Sequence, residues 1–146
     1  MDALLRYVQK YIMRIILNAF RIFPVKKNKL LFLNEISLNY SCNPKYIIEY
    51  IVNELPGCFD IVLAVADPKH NNCDNSKIRL VKYMSFAYFY EIMTSKVFIT
   101  NSGGHSFVPK RKGQYRVNTH HGGGAYKKAG LDMFGNTYWF YYYFCN

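Results

Sequence analysis

The run Thr119 to Gly130, THHGGGAYKKAG, concentrates residue types suited to chemistry: two histidines, three successive glycines and two lysines. A histidine has an unperturbed pKa of about 6.5, so a neutral imidazole can take a proton from an attacking hydroxyl at physiological pH. His121 is the candidate for that role. Gly122, Gly123 and Gly124 would let the backbone approach a ligand closely, and the free amides of a following helix, with Lys127, would favour an anion such as phosphate. The same run also reads as a glycine-rich turn with a solvent-exposed histidine. It lacks the GK[ST] ending of a P-loop and the GxGxxG spacing of a dinucleotide fingerprint.

Three further groups stand where cleft contacts are expected. Asn39, Tyr40 and Ser41, with Asn43, form a polar stretch after the first apolar run, readable as a ligand rim or as a turn and helix cap. Asn101 and Ser102 open the NSGG turn after a later run, and in an open α/β sheet ligands collect at the carboxyl ends of strands. Lys110, Arg111 and Lys112 are either phosphate contacts or a solvated face. His70 and His105 lie in polar loops without a partner pattern and are expected at the surface. No carboxylate cluster suggests a catalytic metal.

Short apolar runs alternating with helical segments must position these residues. Leu30 to Leu33, Phe59 to Ala66, Ile78 to Val81, Val97 to Thr100 and Tyr115 to Thr119 read as strands. Pro44 to Leu55, capped by Asn43, and Ser85 to Lys96, capped by Ser85, read as helices. The alternation implies an α/β layer with a mainly parallel sheet.

The first 25 residues differ. Arg6, Lys10, Arg14 and Arg21 fall within about 80° of one another on a helical wheel. Leu4, Leu5, Val8, Ile12, Ile15, Ile16, Ala19, Ile22 and Phe23 fill much of the remainder. Pro24 ends this basic amphipathic helix, and Lys26, Lys27 and Lys29 add cations beyond it. It is expected either to lie on an anionic membrane surface or to pack on the rest of the protein or a partner. The charges are too closely spaced for a membrane span. With 146 residues, 51% hydrophobic, the chain has one core, divided as an amphipathic helix (1–25) and one domain (26–146). The net charge of +10 favours anionic partners, but no recognition helix or RNP-like pattern supports nucleic acid. Four dispersed cysteines fit reduced thiols in the cytosol.

Six segments together resemble the CDP-glycerol glycerophosphotransferases, which prime or elongate teichoic-acid-like and capsular polymers. They are PVKKNK (Pro24 to Lys29), NYSCNPKYIIEY (Asn39 to Tyr50), LVKY (Leu80 to Tyr83), KVFITNS (Lys96 to Ser102), KRKGQ (Lys110 to Gln114) and the stretch around His121. One departure is His120, where family members typically carry Trp. The resemblance implies the Rossmann-like amino-terminal domain of a GT-B fold, with His121 catalytic and the loop of Asn39, Tyr40, Ser41 and Asn43 bordering the acceptor cleft; Asn101 and Ser102 stay strand-end candidates for cleft contact or an ordinary βα turn. It implies no cofactor: CDP-glycerol is the donor substrate, and its pocket and a second histidine belong to a carboxy-terminal domain. The implied partners are a lipid-linked polymer acceptor, an anionic membrane surface at the cytoplasmic face, where the protein would sit peripherally, and a separate carboxy-terminal half. The alternative is a non-catalytic acceptor-binding module or truncated remnant.

Overall fold

The computed structural model describes residues 2–120 except 74, 104 and 106. In chain order the elements are α1 (Asp2–Ala19) with a 3-10 turn (Phe20–Ile22), β1 (Lys26–Leu33), α2 (Cys42–Glu54), β2 (Asp60–Val65), β3 (Ile78–Lys82), α3 (Phe86–Thr94), β4 (Ser95–Thr100) and β5 (Tyr115–Asn118). The five strands form one sheet in the order β3-β2-β1-β4-β5, and every neighbouring pair is parallel. The expected α/β fold is therefore present as a Rossmann-like, doubly wound unit. Its strand order reverses between β1 and β4, which opens a crevice at their carboxyl ends.

Both faces of the sheet are covered, which is why the central strands are apolar without alternation. Leu30 and Phe32 of β1 point to one face, where Ile48 and Val52 of α2 cover them. Leu31 and Leu33 point to the other and meet Tyr88, Ile92 and Met93 of α3. Leu17 of α1 and Phe20 of the 3-10 turn are buried in that second cluster, so the end of the first helical segment packs on the domain core. Val8, Ile12, Ile15 and Ile16 of α1 remain exposed. Among the described residues no helix is long and apolar enough to cross a membrane.

The amino-terminal edge of the sheet is closed by ions. Lys29, fully buried, donates to a Glu91 carboxylate oxygen and to Thr94 Oγ1 at 2.8 Å. Glu91 also accepts from Arg79 at 2.8 Å, and Arg79 holds both carboxylate oxygens of Asp60 at 2.8 Å. Lys29 is thus removed from the basic surface cluster in which the sequence placed it. Burial pushes Glu91 up, but Arg79 and Lys29 outweigh it and hold the carboxyl below its ordinary range.

Helix α3 runs into β4 without a loop, leaving its terminal carbonyls in need of donors. Arg111 supplies one to Met93 O at 2.7 Å, and the Gln114 amide supplies Ile92 O at 2.9 Å and Ser95 O at 2.7 Å. Arg111 also donates to the carbonyls of Arg21 and Phe23. Its guanidinium is therefore a cap joining three segments, and not the phosphate contact or solvated charge of the sequence reading; Lys110 and Lys112 stay exposed. Gly113 has a φ of +86°, a conformation that lets the chain turn between cap and β5.

Lys29→Met should lower stability by about 3 kcal/mol, since it leaves Glu91 buried without its buried cation. Urea unfolding measures the loss.

Candidate functional site

At the carboxyl ends of β1 and β4 the chain turns to opposite faces, and side chains complete the hydrogen bonding. Asn101, fully buried, donates through Nδ2 to Asn34 Oδ1 at 2.8 Å and accepts at Oδ1 from the Glu35 amide at 3.0 Å. Asn34 Nδ2 donates to Ser41 Oγ at 2.7 Å and Ser37 Oγ at 2.9 Å. One buried amide pair thus ties β4 to the loop that leads into α2.

Glu35 stands on the same edge. Thr100 Oγ1 donates to Glu35 Oε1 at 3.1 Å, and His105 Nδ1 lies 2.5 Å from that oxygen. The imidazole is buried against this carboxylate, where a ring nitrogen left without a partner would be costly. Burial pushes Glu35 up, but His105, Thr100 and Ser102 outweigh it and hold the carboxyl below its ordinary range. The other ring nitrogen of His105, Nε2, is 2.6 Å from the Tyr88 hydroxyl. Tyr88 is completely buried, and its pKa is raised mainly by that burial.

The third wall is the end of β5. Thr119 N–H continues the ladder to Thr100 O at 2.8 Å. Asn43 Nδ2 donates to Thr119 O at 3.2 Å and His120 O at 2.9 Å, which fastens the start of α2 to the end of β5. This corrects the sequence reading of Asn43 as a helix cap, since Ser41 occupies the cap position. Three residues around the crevice adopt left-handed backbone without being glycine: Leu38 (φ 51°), Cys42 (φ 55°) and His120 (φ 56°). Each costs about 1 to 2 kcal/mol, and such strain persists where the surroundings over-determine it, often at functional sites.

Of the residues singled out from sequence, Asn39 is exposed, Tyr40 and Ser102 are half-buried, Ser41 is bonded to Asn34, and Asn101 is the buried bridge. Tyr40 is pushed up to about 12 by burial, Glu49 and Cys73. These residues come from two strand ends that the crevice brings together. His121, Gly122, Gly123, Gly124 and Lys127 lie outside the described residues. His120, directly before them, is exposed. The surface assignment of His70 agrees with its exposed contact to Asp67, but that of His105 is overturned, because His105 is only 6% exposed. Tyr83, Tyr88, Phe98 and Phe107 surround its ring, a shell assembled from elements distant in sequence. Asn34 and Glu35 were missed, although the strand-end rule that found Asn101 applies to them equally.

The sequence profile of CDP-Glycerol:Poly(glycerophosphate) glycerophosphotransferase matches residues 15–141. A curated relative, the teichoic acid poly(glycerol phosphate) polymerase of Bacillus spizizenii, is 30% identical over 135 residues, covering 89% of this chain and 34% of the relative. Among solved structures, a histidine-to-asparagine variant of the wall teichoic acid polymerase TagF superposes with a TM-score of 0.70 at 23% identity, covering 94% of this chain and 36% of that one. The variant soaked for 15 minutes with CDPG gives 0.67 at 23% identity, covering 82% and 30%. The chain thus spans about a third of the length of the proteins it resembles.

Asn101→Ala should destabilise the domain by about 1 to 3 kcal/mol, because it strands the buried Asn34 carbonyl and the Glu35 amide. Thermal or urea unfolding measures the cost, and Asn101→Asp, which keeps only the acceptor, should recover part of it.

Proposed function

The chain belongs to the CDP-glycerol:poly(glycerophosphate) glycerophosphotransferase family, and from that membership we propose that it forms the acceptor-side half of an enzyme transferring glycerol phosphate to a lipid-linked polymer. The acceptor hydroxyl attacks the phosphorus that carries glycerol in CDP-glycerol. The new bond is from acceptor oxygen to phosphorus, the bond to the neighbouring phosphate oxygen breaks, and CMP leaves. His121 takes the hydroxyl proton as general base. Asn39, Tyr40, Ser41, Asn101 and Ser102 border the acceptor, while Gly122, Gly123, Gly124 and Lys127 steady phosphate.

The observation that carries this reading is the crevice between β1 and β4, with β5 as its third wall, in a chain whose family match extends across it. The chain passes from Thr119 and His120, held by Asn43, directly into His121. CDP-glycerol binds mainly to a carboxy-terminal half, supplied in the same or a separate chain.

Residues 1–25 serve as a unit that lies on the anionic cytoplasmic face of the membrane, beside residues 26–146 as the catalytic-side domain. The exposed Val8, Ile12, Ile15 and Ile16 of α1 and the cations Arg14 and Arg21 on the same segment support this.

With a carboxy-terminal half present, His121→Ala should lower polymer extension by about 10² to 10⁴, the usual range for a lost general base, and His120→Ala should do far less. Following incorporation of labelled glycerol phosphate by both variants separates them. Undiminished extension by His121→Ala would refute the assignment.

A further inference from the structure

Glu35, His105 and Tyr88 form a carboxylate, imidazole and phenol series under the crevice floor, from the end of β1, the β4–β5 connection and α3. An ionised carboxylate only accepts hydrogen bonds, so it sets the ring proton on Nδ1; Nε2 then accepts from the Tyr88 hydroxyl. With Nδ1 turned to Glu35 and Nε2 to Tyr88, both ring nitrogens are engaged by groups of the fold. The arrangement has the logic of a triad in which a carboxylate orients a histidine, but its third member is buried, so it holds structure and meets no substrate.

What the series holds is the crevice rim. Glu35 gives its amide to Asn101, and its carboxylate receives Thr100 and faces His105. The Ser102 amide donates to Thr100 Oγ1, and the Val108 amide to His105 O. Losing the carboxylate's charge would therefore release the His105 ring and loosen both ends of the same connection. We propose that Glu35, acting through His105, is a positioning residue: its carboxylate latches the β4–β5 connection so that Asn101 and Ser102 are held at the acceptor crevice. The consequence for ligand rests on the function proposed above; the latch itself does not.

The ionisable groups facing this pair are Tyr83 from the turn before α3 and Tyr88 from α3, with Arg116 of β5 acting on Tyr88. Both tyrosines are raised above their ordinary range chiefly by burial, so neither ionises in the acid region. The carboxylate is the group whose charge holds the latch: the folded-state value of Glu35 lies below the ordinary carboxylate value, so its contribution is complete above that ordinary value and is lost as pH falls through the lower one.

Amide hydrogen exchange of the whole chain, expressed as protection factors between about pH 3.5 and 7, tests the latch. In Glu35→Gln, protection at Ser102 and Val108 should fall about tenfold while Leu31 and Leu63 in the sheet centre stay unchanged. Glu35→Asp, which keeps the charge, should retain most of it. The unmodified chain should lose the same local protection on acidification, and Glu35→Gln should show no further local loss. Because Asp60 and Glu91 titrate at the opposite edge, the position of the loss distinguishes them from Glu35. Unchanged protection in Glu35→Gln, or a loss spread over the whole sheet, would overturn the proposal. A glycerol phosphate oligomer, added to the same proteins, should bind Glu35→Gln about tenfold more weakly. Local loosening with no binding by any of the proteins would uphold the latch and refute the acceptor-site reading.

Discussion

Beyond Leu33 and Thr100 the paired strands β1 and β4 part to opposite faces of the sheet, and no further backbone rung can bridge them. The side chain of Asn101, at the β4 exit, replaces that missing rung, accepting from the Glu35 amide and donating to Asn34 Oδ1, both at the β1 exit. Once it does so, the β1–α2 loop is fixed through Asn34 and Ser41, and the start of α2 is fixed to β5 through Asn43. The opening between these segments is thus a rigid crevice whose polar groups are bonded to one another. A site of this kind is preorganised at the cost of strained backbone at Leu38, Cys42 and His120.

The opposite edge of the sheet is built differently, with Lys29, Glu91, Arg79 and Asp60 forming a chain of charges that passes from buried to exposed. The contrast follows from burial. Lys29 has no contact with water, so its ammonium persists only beside a carboxylate, whereas Arg79 is half-exposed and contributes as much by geometry as by charge. On the face carrying α1 and α3, Arg111 and Gln114 finish a helix that has no loop in which to cap itself.

Strand and helix positions were legible in the sequence because they depend on local periodicity and caps, and Ser85 does accept from the Tyr88 amide as its position suggested. The roles of Lys29, Arg111 and His105 were not, because each is set by partners far along the chain. Lys29 read as surface charge since Glu91 lies 62 residues away. Arg111 sat in a cationic run that looks solvated until α3 is found to end beneath it. His105 follows a glycine pair in a polar stretch, and only the fold brings Glu35, Tyr88 and Phe98 around it. Asn101 was legible as a strand-end residue, but its part as a bridge between strands required the order β1-β4.

The chemistry then follows from where an acceptor can approach. An anionic polymer would meet cations over much of a chain with a net charge of +10, so charge alone does not select a site. In the function proposed above the crevice does, because it joins three strand ends at the point where the chain continues into His121. Mapping backbone amide shifts of this chain during titration with a glycerol phosphate oligomer tests that selection most directly. The crevice account predicts perturbations gathered at Glu35 to Asn43, Thr100 to Ser102 and Asn118 to His120. Perturbations confined to α1 and the Lys110 to Lys112 surface, with those strand ends silent, would contradict it.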